Sequence, residues 1–189
     1  MWKNADRAAG VVDRIRSEGG QAEAMRADTG VEADILALFE RADQLGRLQA
    51  LVYNSGITGP ASSLVEADTS VMARVLEVNL LGAMVASREA IRRMSKSRGG
   101  QGGSIVLISS RAALYGSPGE FVWYAASKGG MGQPDQRPGA RSRARGHPRQ
   151  RRLAGPIVTE MHRPGKLDSA IKLSPPCSAR ARPRKWPRR

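Results

Sequence analysis

A chain of 189 residues with 40% hydrophobic content is long enough for one domain with a substantial core. Neither a run of about 18 apolar residues nor an apolar stretch behind a basic N-terminus occurs, so no membrane span or signal peptide is expected. A single cysteine, Cys177, excludes a disulfide framework or a cysteine-clustered zinc site, and a cytoplasmic setting follows. The net charge of +14 is uneven: residues 1–132 hold 15 Lys and Arg against 14 Asp and Glu, whereas residues 133–189 hold 16 against 3.

In the first 132 residues the apolar spacing alternates. Ala8, Val11, Val12 and Ile15 predict an amphipathic helix stopped by Gly19 and Gly20, and a short strand is expected around residues 22–27. Val31, Ile35, Leu38, Phe39, Ala42 and Leu45 form a second helical stripe ended by Gly46, and LQALVYN predicts a buried strand. A third helix over roughly residues 70–94, containing Met72, Val75, Leu76, Leu80 and Met84, leads through GGQGGS into the apolar strand SIVLISS. Alternating helices and strands predict a parallel α/β sheet covered on both faces. Ligands of such sheets sit at the C-terminal strand ends, here Asp28, then Asn54, Ser55 and Gly56, then Ser109 and Ser110.

The segment YAASK sets Tyr124 and Lys128 four residues apart, on one face of a helix. A phenol with a pKa of ~10 needs help to act near neutrality, and a neighbouring ammonium has the right sign. Taken alone, the pair is equally an aromatic and a lysine on an ordinary helix. Asp28 alone reads as a helix cap, and Asn79 as a satisfied core polar group.

Together with NSG, VNLLG and GGSIVLISSRAA in this order, the segment resembles the short-chain dehydrogenase/reductase family over residues 4–132, closest to members with SRAA, GSPGE and WYAASKGG. The resemblance implies a Rossmann-like sheet and hydride transfer between a nicotinamide (NAD or NADP) and a carbonyl or alcohol carbon. It makes Tyr124 the general acid/base, Lys128 the group that lowers the phenol pKa and holds the nicotinamide ribose, and Ser110 the residue that polarises the substrate oxygen. Ser109 is then packing, because adjacent strand residues face opposite ways. Asn79 would hold a relay water, Asp28 would meet the adenine, Asn54 and Gly56 would line the cofactor, and Thr159 would lie near the nicotinamide amide. Tyr53 and Ser55 depart from the family's NNAG turn, and Thr29 stands in place of an aliphatic residue. A homo-oligomer of the family type, with a damaged interface, is the implied assembly.

The same resemblance implies that the first strand and its Gly-rich, pyrophosphate-binding turn are missing. Losing about three charge-assisted hydrogen bonds at ~1.5 to 3 kcal/mol each weakens cofactor binding by ~4.5 to 9 kcal/mol. The domain is therefore expected to be partial over residues 1–132, with a basic, mostly irregular segment over residues 133–189. Back-translated with GC-rich codons and shifted by one base, residues 133–155 can encode SLTSGLAREAAREGIRVNAVSPG, a helix and strand of family type. Register returns at GPIVTEMH, a family-like stretch over residues 155–162, and residues 177–189 shift to MQRAGPPEEVAEA. An impaired or inactive oxidoreductase is the reading that results; the alternatives are a non-enzymatic remnant and a basic nucleic-acid-binding protein. Against the last, no aromatic interleaves with Arg137, Arg141, Arg143, Arg145, Arg149, Arg151 and Arg152, and Pro134, Pro138 and Pro148 break any recognition helix.

Overall fold

A computed structural model describes residues 5–131 and the backbone of residues 149–154. The chain divides into a unit of residues 1–153 and one of residues 154–189; all described residues except Ala154 lie in the first.

Helix α1 (Ala5–Ser17) forms where the apolar spacing predicts and leaves through Gly19 at φ 84°, a left-handed turn that suits glycine. Its stripe is not covered by the described residues: Val11 and Ile15 are exposed, and no residue of the helix is buried. Residues 22–27 form no strand. A strand exists through its ladder, and no described strand pairs with this segment. It is tied instead to helix α2 (Glu32–Leu45) by a fork in which Arg41 donates to both oxygens of Glu23 at 2.7 and 2.8 Å.

Strand β1 (Ala50–Tyr53) pairs in parallel with β2 (Ser104–Ser110), with Ala50 opposite Ser104 and Tyr53 opposite Leu107. β1 is an edge rather than the buried strand its composition predicts, and Val52 is 63% exposed. An apolar strand is buried only where both its faces are covered, and here one is open. β3 (Arg149–Ala154) joins the other side of β2, giving the order β1-β2-β3. No strand was expected in this Arg-rich stretch. Ladder bonds use backbone groups, so an open strand edge can recruit a sequence with little strand character.

The long helix between the strands has three parts: α3 (Thr69–Leu76), a π turn (Glu77–Leu81) and α4 (Gly82–Met94). Asp68 starts α3 by accepting the Ser70 N–H at 2.7 Å. The core lies where Ile35 and Phe39 of α2 meet Ala83, Ala86, Ala90 and Met94 of α4 above Ile105 of β2. The larger apolar residues Leu76, Leu81 and Met84 face outward. Thus the core face of α4 is built mainly from alanines, which let it approach the sheet closely, and not from the bulky stripe the sequence suggests.

By length and composition, Thr69–Met94 could cross a membrane, with a mean hydropathy of 1.3. Its buried polar residues mark it instead as a core helix. Glu89 is buried and accepts bonds from Arg88, Arg92 and Arg93 at 2.8 to 3.0 Å. Burial works to raise its pKa, yet the bonds from Arg88 and Arg93 prevail and hold the carboxyl below its ordinary value.

Two short helices complete the described body. α5 (Ala112–Tyr115) follows β2 directly, and α6 (Val122–Gly130) carries YAASK against the C-terminal half of β2.

Candidate active site

The π turn sets the site in place. An extra residue in a helical turn is costly and is found mostly where a side chain or carbonyl must be re-aimed. Here the turn carries Asn79, which is completely buried. Its Nδ2 donates to the Ile57 carbonyl and to Ser127 Oγ, both at 2.9 Å, and its Oδ1 accepts the Ile57 N–H at 2.8 Å. One side chain therefore clamps the loop after β1 to helix α6. Ser127 Oγ in turn donates a hydrogen bond to the Tyr124 carbonyl at 2.7 Å.

Lys128, one residue on, points beneath the same loop. Its Nζ donates to the Ile108 carbonyl at 3.0 Å and stands 6.0 Å from the centre of the Tyr124 ring. Burial lowers its pKa from 10.5 to about 8. A Cβ placed on Gly56 would lie 3.0 Å from this Nζ and 3.4 Å from Asn79 Oδ1. Glycine at position 56 thus lets the end of β1 pack directly against Lys128 Nζ and Asn79 Oδ1.

At the end of β2 the two serines separate as strand alternation requires. Ser109 is buried, and its hydroxyl donates to the Lys128 carbonyl at 2.7 Å. Ser110 is half-buried, and its Oγ accepts the Ala112 N–H at 3.2 Å at the start of α5. Asn54 is exposed just past β1.

Asp28 lies in a separate cluster. One carboxylate oxygen accepts the Gly30 N–H at 2.9 Å and the other is bound by Arg74, while the Asp28 N–H reaches Asp34 at 2.7 Å. The Gly30 N–H first, and then Arg74, hold its pKa below the ordinary value against the effect of burial. Asn79, Gly56, Tyr124 and Lys128 are thus brought together, with Ser109 bonded to the backbone of Lys128, whereas Asp28 belongs to this cluster with Arg74. Thr159 lies outside the described residues.

Arg74, Trp123 and Tyr53 carry structural roles that spacing does not reveal. Trp123 is buried, and its indole N–H donates to the Thr58 carbonyl at 2.7 Å, holding the loop beyond Gly56. Its position beside YAASK is the one local hint. Alongside β1, Ile35, Leu38, Phe39, Leu51, Tyr53 and Asn54 help line an open apolar groove of about 250 Å³.

A parallel sheet with flanking helices is the architecture of a Rossmann-like fold. The sequence profile described as short chain dehydrogenase matches residues 1–134, and the chain belongs to that family. It is similar to the uncharacterized oxidoreductase YgfF of Escherichia coli, with 37% identity over 88% of this chain and 69% of that protein. It is also similar to the 3-oxoacyl-[acyl-carrier-protein] reductase of Homo sapiens, with 40% identity over 60% of this chain and 46% of that one. Among solved structures, a short chain dehydrogenase from Burkholderia cenocepacia in complex with NADP superposes with a TM-score of 0.63 at 33% identity, covering 69% of this chain and 51% of that one. The chain spans 69% of the YgfF length and about half of the other two.

Proposed function

We propose that this chain is the substrate-facing part of an NAD(P)-dependent oxidoreductase that moves a hydride between nicotinamide and a carbonyl or alcohol carbon of a small molecule. The observation that carries the proposal is the placing of Lys128 Nζ beside Gly56 at the end of β1 and 6.0 Å from the centre of the Tyr124 ring. An ammonium can donate to the hydroxyls of a ribose, which is the contact the proposal gives Lys128. Lys128 and Tyr124 would hold the nicotinamide ribose, Asn54 and Gly56 would border it, Asp28 would face the adenine, and Thr159 the nicotinamide amide. When bound, the nicotinamide supplies or takes up the hydride.

The chain's own residues supply the proton chemistry. In reduction the Tyr124 hydroxyl gives its proton to the substrate oxygen, and in oxidation the phenolate receives it. A charged Lys128 favours the phenolate, and Ser110 donates a hydrogen bond to the oxygen where negative charge develops. Asn79 would hold a water of the proton relay. Asp28 is the weakest of these assignments chemically, because Arg74 and the Gly30 N–H already engage both of its oxygens.

A cytoplasmic location and a family-type homo-oligomer belong to the same proposal; a membrane or specific nucleic-acid partner does not. The test is saturation-transfer NMR with NAD and with NADP at millimolar concentration. Transfer to the nicotinamide and its ribose that disappears in Lys128→Met supports the proposal. Failure of both dinucleotides to receive transfer from a chain shown to be folded overturns it.

A further inference from the structure

Tyr53 stands at the end of β1, fully inside the protein at 4% exposure, and its hydroxyl donates to the Val78 carbonyl in the π turn. The reason that carbonyl is available lies in the helix itself. The Gly82 N–H bonds to the Glu77 carbonyl, five residues back, instead of to Val78, four residues back. An α-helical bond to Val78 is thereby given up, and a buried carbonyl without a partner is costly. The phenol takes the place of the missing N–H.

The neighbourhood is built around this contact. A Cβ on Gly82 would strike the Thr29 carbonyl and come within 2.5 Å of Tyr53 Oη, so only glycine lets the turn approach the phenol. Burial, the largest influence, raises the phenol pKa, so the group stays a protonated donor. Asn79 directly follows Val78, and its three bonds to Ile57 and Ser127 depend on where the π turn places it.

We propose that Tyr53 is a positioning residue: its hydroxyl latches the π turn open at Val78 and thereby aims Asn79 between the β1 loop and α6. This inference rests on the proposed function only for the use made of Asn79; the latch itself concerns the folded chain with no nucleotide present. Tyr53→Phe keeps the ring and removes the bond. The buried side-chain amide of Asn79 and the Ile57 N–H are then expected to exchange with solvent ~10-fold faster or more, with shifted resonances, while amides of Ala90, Met94 and Ile105 change by ~2-fold or less.

Unchanged exchange at Ile57 and Asn79, or an equal acceleration everywhere, overturns the latch. Should the variant fail to fold, the unaltered protein decides: a slowly exchanging Tyr53 hydroxyl proton with a cross-peak to Val78 supports it, and a freely exchanging one refutes it. If the latch is found and no dinucleotide binds, the functional proposal falls and the latch stands.

Discussion

The two flanks of β1 differ in how completely their polar groups are partnered. Toward β2 and α6, Asn79, Ser109, Ser127 and Lys128 are buried and each is hydrogen-bonded, so the frame around Tyr124 is held before any ligand arrives. Toward the other edge, no described strand pairs with β1, Val52 is bare, and an apolar groove of about 250 Å³ lies open beside α2. The difference shows that the buried polar network is organised by residues 53–128 themselves, while the other flank of β1 stays open among the described residues.

The sharpest way to break the comparison is to complete the open flank. A chain given a Gly-rich first βαβ unit, with residues 133–155 and 177–189 returned to their shifted frames, is expected to bind NAD(P) ~4.5 to 9 kcal/mol more tightly by calorimetry. If it never binds nicotinamide, the functional reading is wrong. The coding DNA tests the frames directly: the absence of a family-like helix in any frame behind residues 133–152 would leave a naturally basic tail.

In the completed protein, the closed flank predicts an order of effects on hydride transfer, followed by nicotinamide absorbance. Tyr124→Phe should abolish turnover, a loss of ~10²-fold or more, with little change in stability. Lys128→Ala should cripple both turnover and ribose binding. Ser110→Ala should lower the rate and leave cofactor affinity nearly unchanged. Turnover that survives Tyr124→Phe would refute the acid/base assignment.

Lys128 also makes a pH prediction for the chain as it stands. Its folded pKa of about 8 lies below the ordinary 10.5, so between these values the unfolded chain binds more protons. Stability is therefore lower below about pH 8 and rises toward about pH 10.5, by at most about 3 kcal/mol from this residue. Urea unfolding across that window should show a steeper rise for the unaltered chain than for Lys128→Met, and equal slopes would mean the ammonium is better solvated than its burial suggests.

The smallest effect separates the two serines. Ser109→Ala removes the bond to the Lys128 carbonyl and should cost ~1 to 2 kcal/mol in chemical denaturation, while Ser110→Ala, at a half-buried site, should cost less. The reverse order would put the wrong serine in the substrate-facing position.

What the sequence by itself determined is local in origin. Helical spacing marked α1, α2 and α6, alternation in SIVLISS distinguished Ser109 from Ser110, and the ordered motifs brought Tyr124, Lys128 and Asn79 to notice. Where the outcome depended on partners far along the chain, spacing was silent or misleading. Residues 22–27 were expected to form a strand but have no ladder among the described residues, and β1 looks buried but is an edge there, because pairing and coverage are properties of neighbours. The π turn, the Tyr53 bond across 25 residues and the Trp123 bond across 65 arise only when separate elements meet. A hydrogen bond between distant groups leaves no periodic trace in either segment, so only the tertiary structure could decide which polar residues face one another.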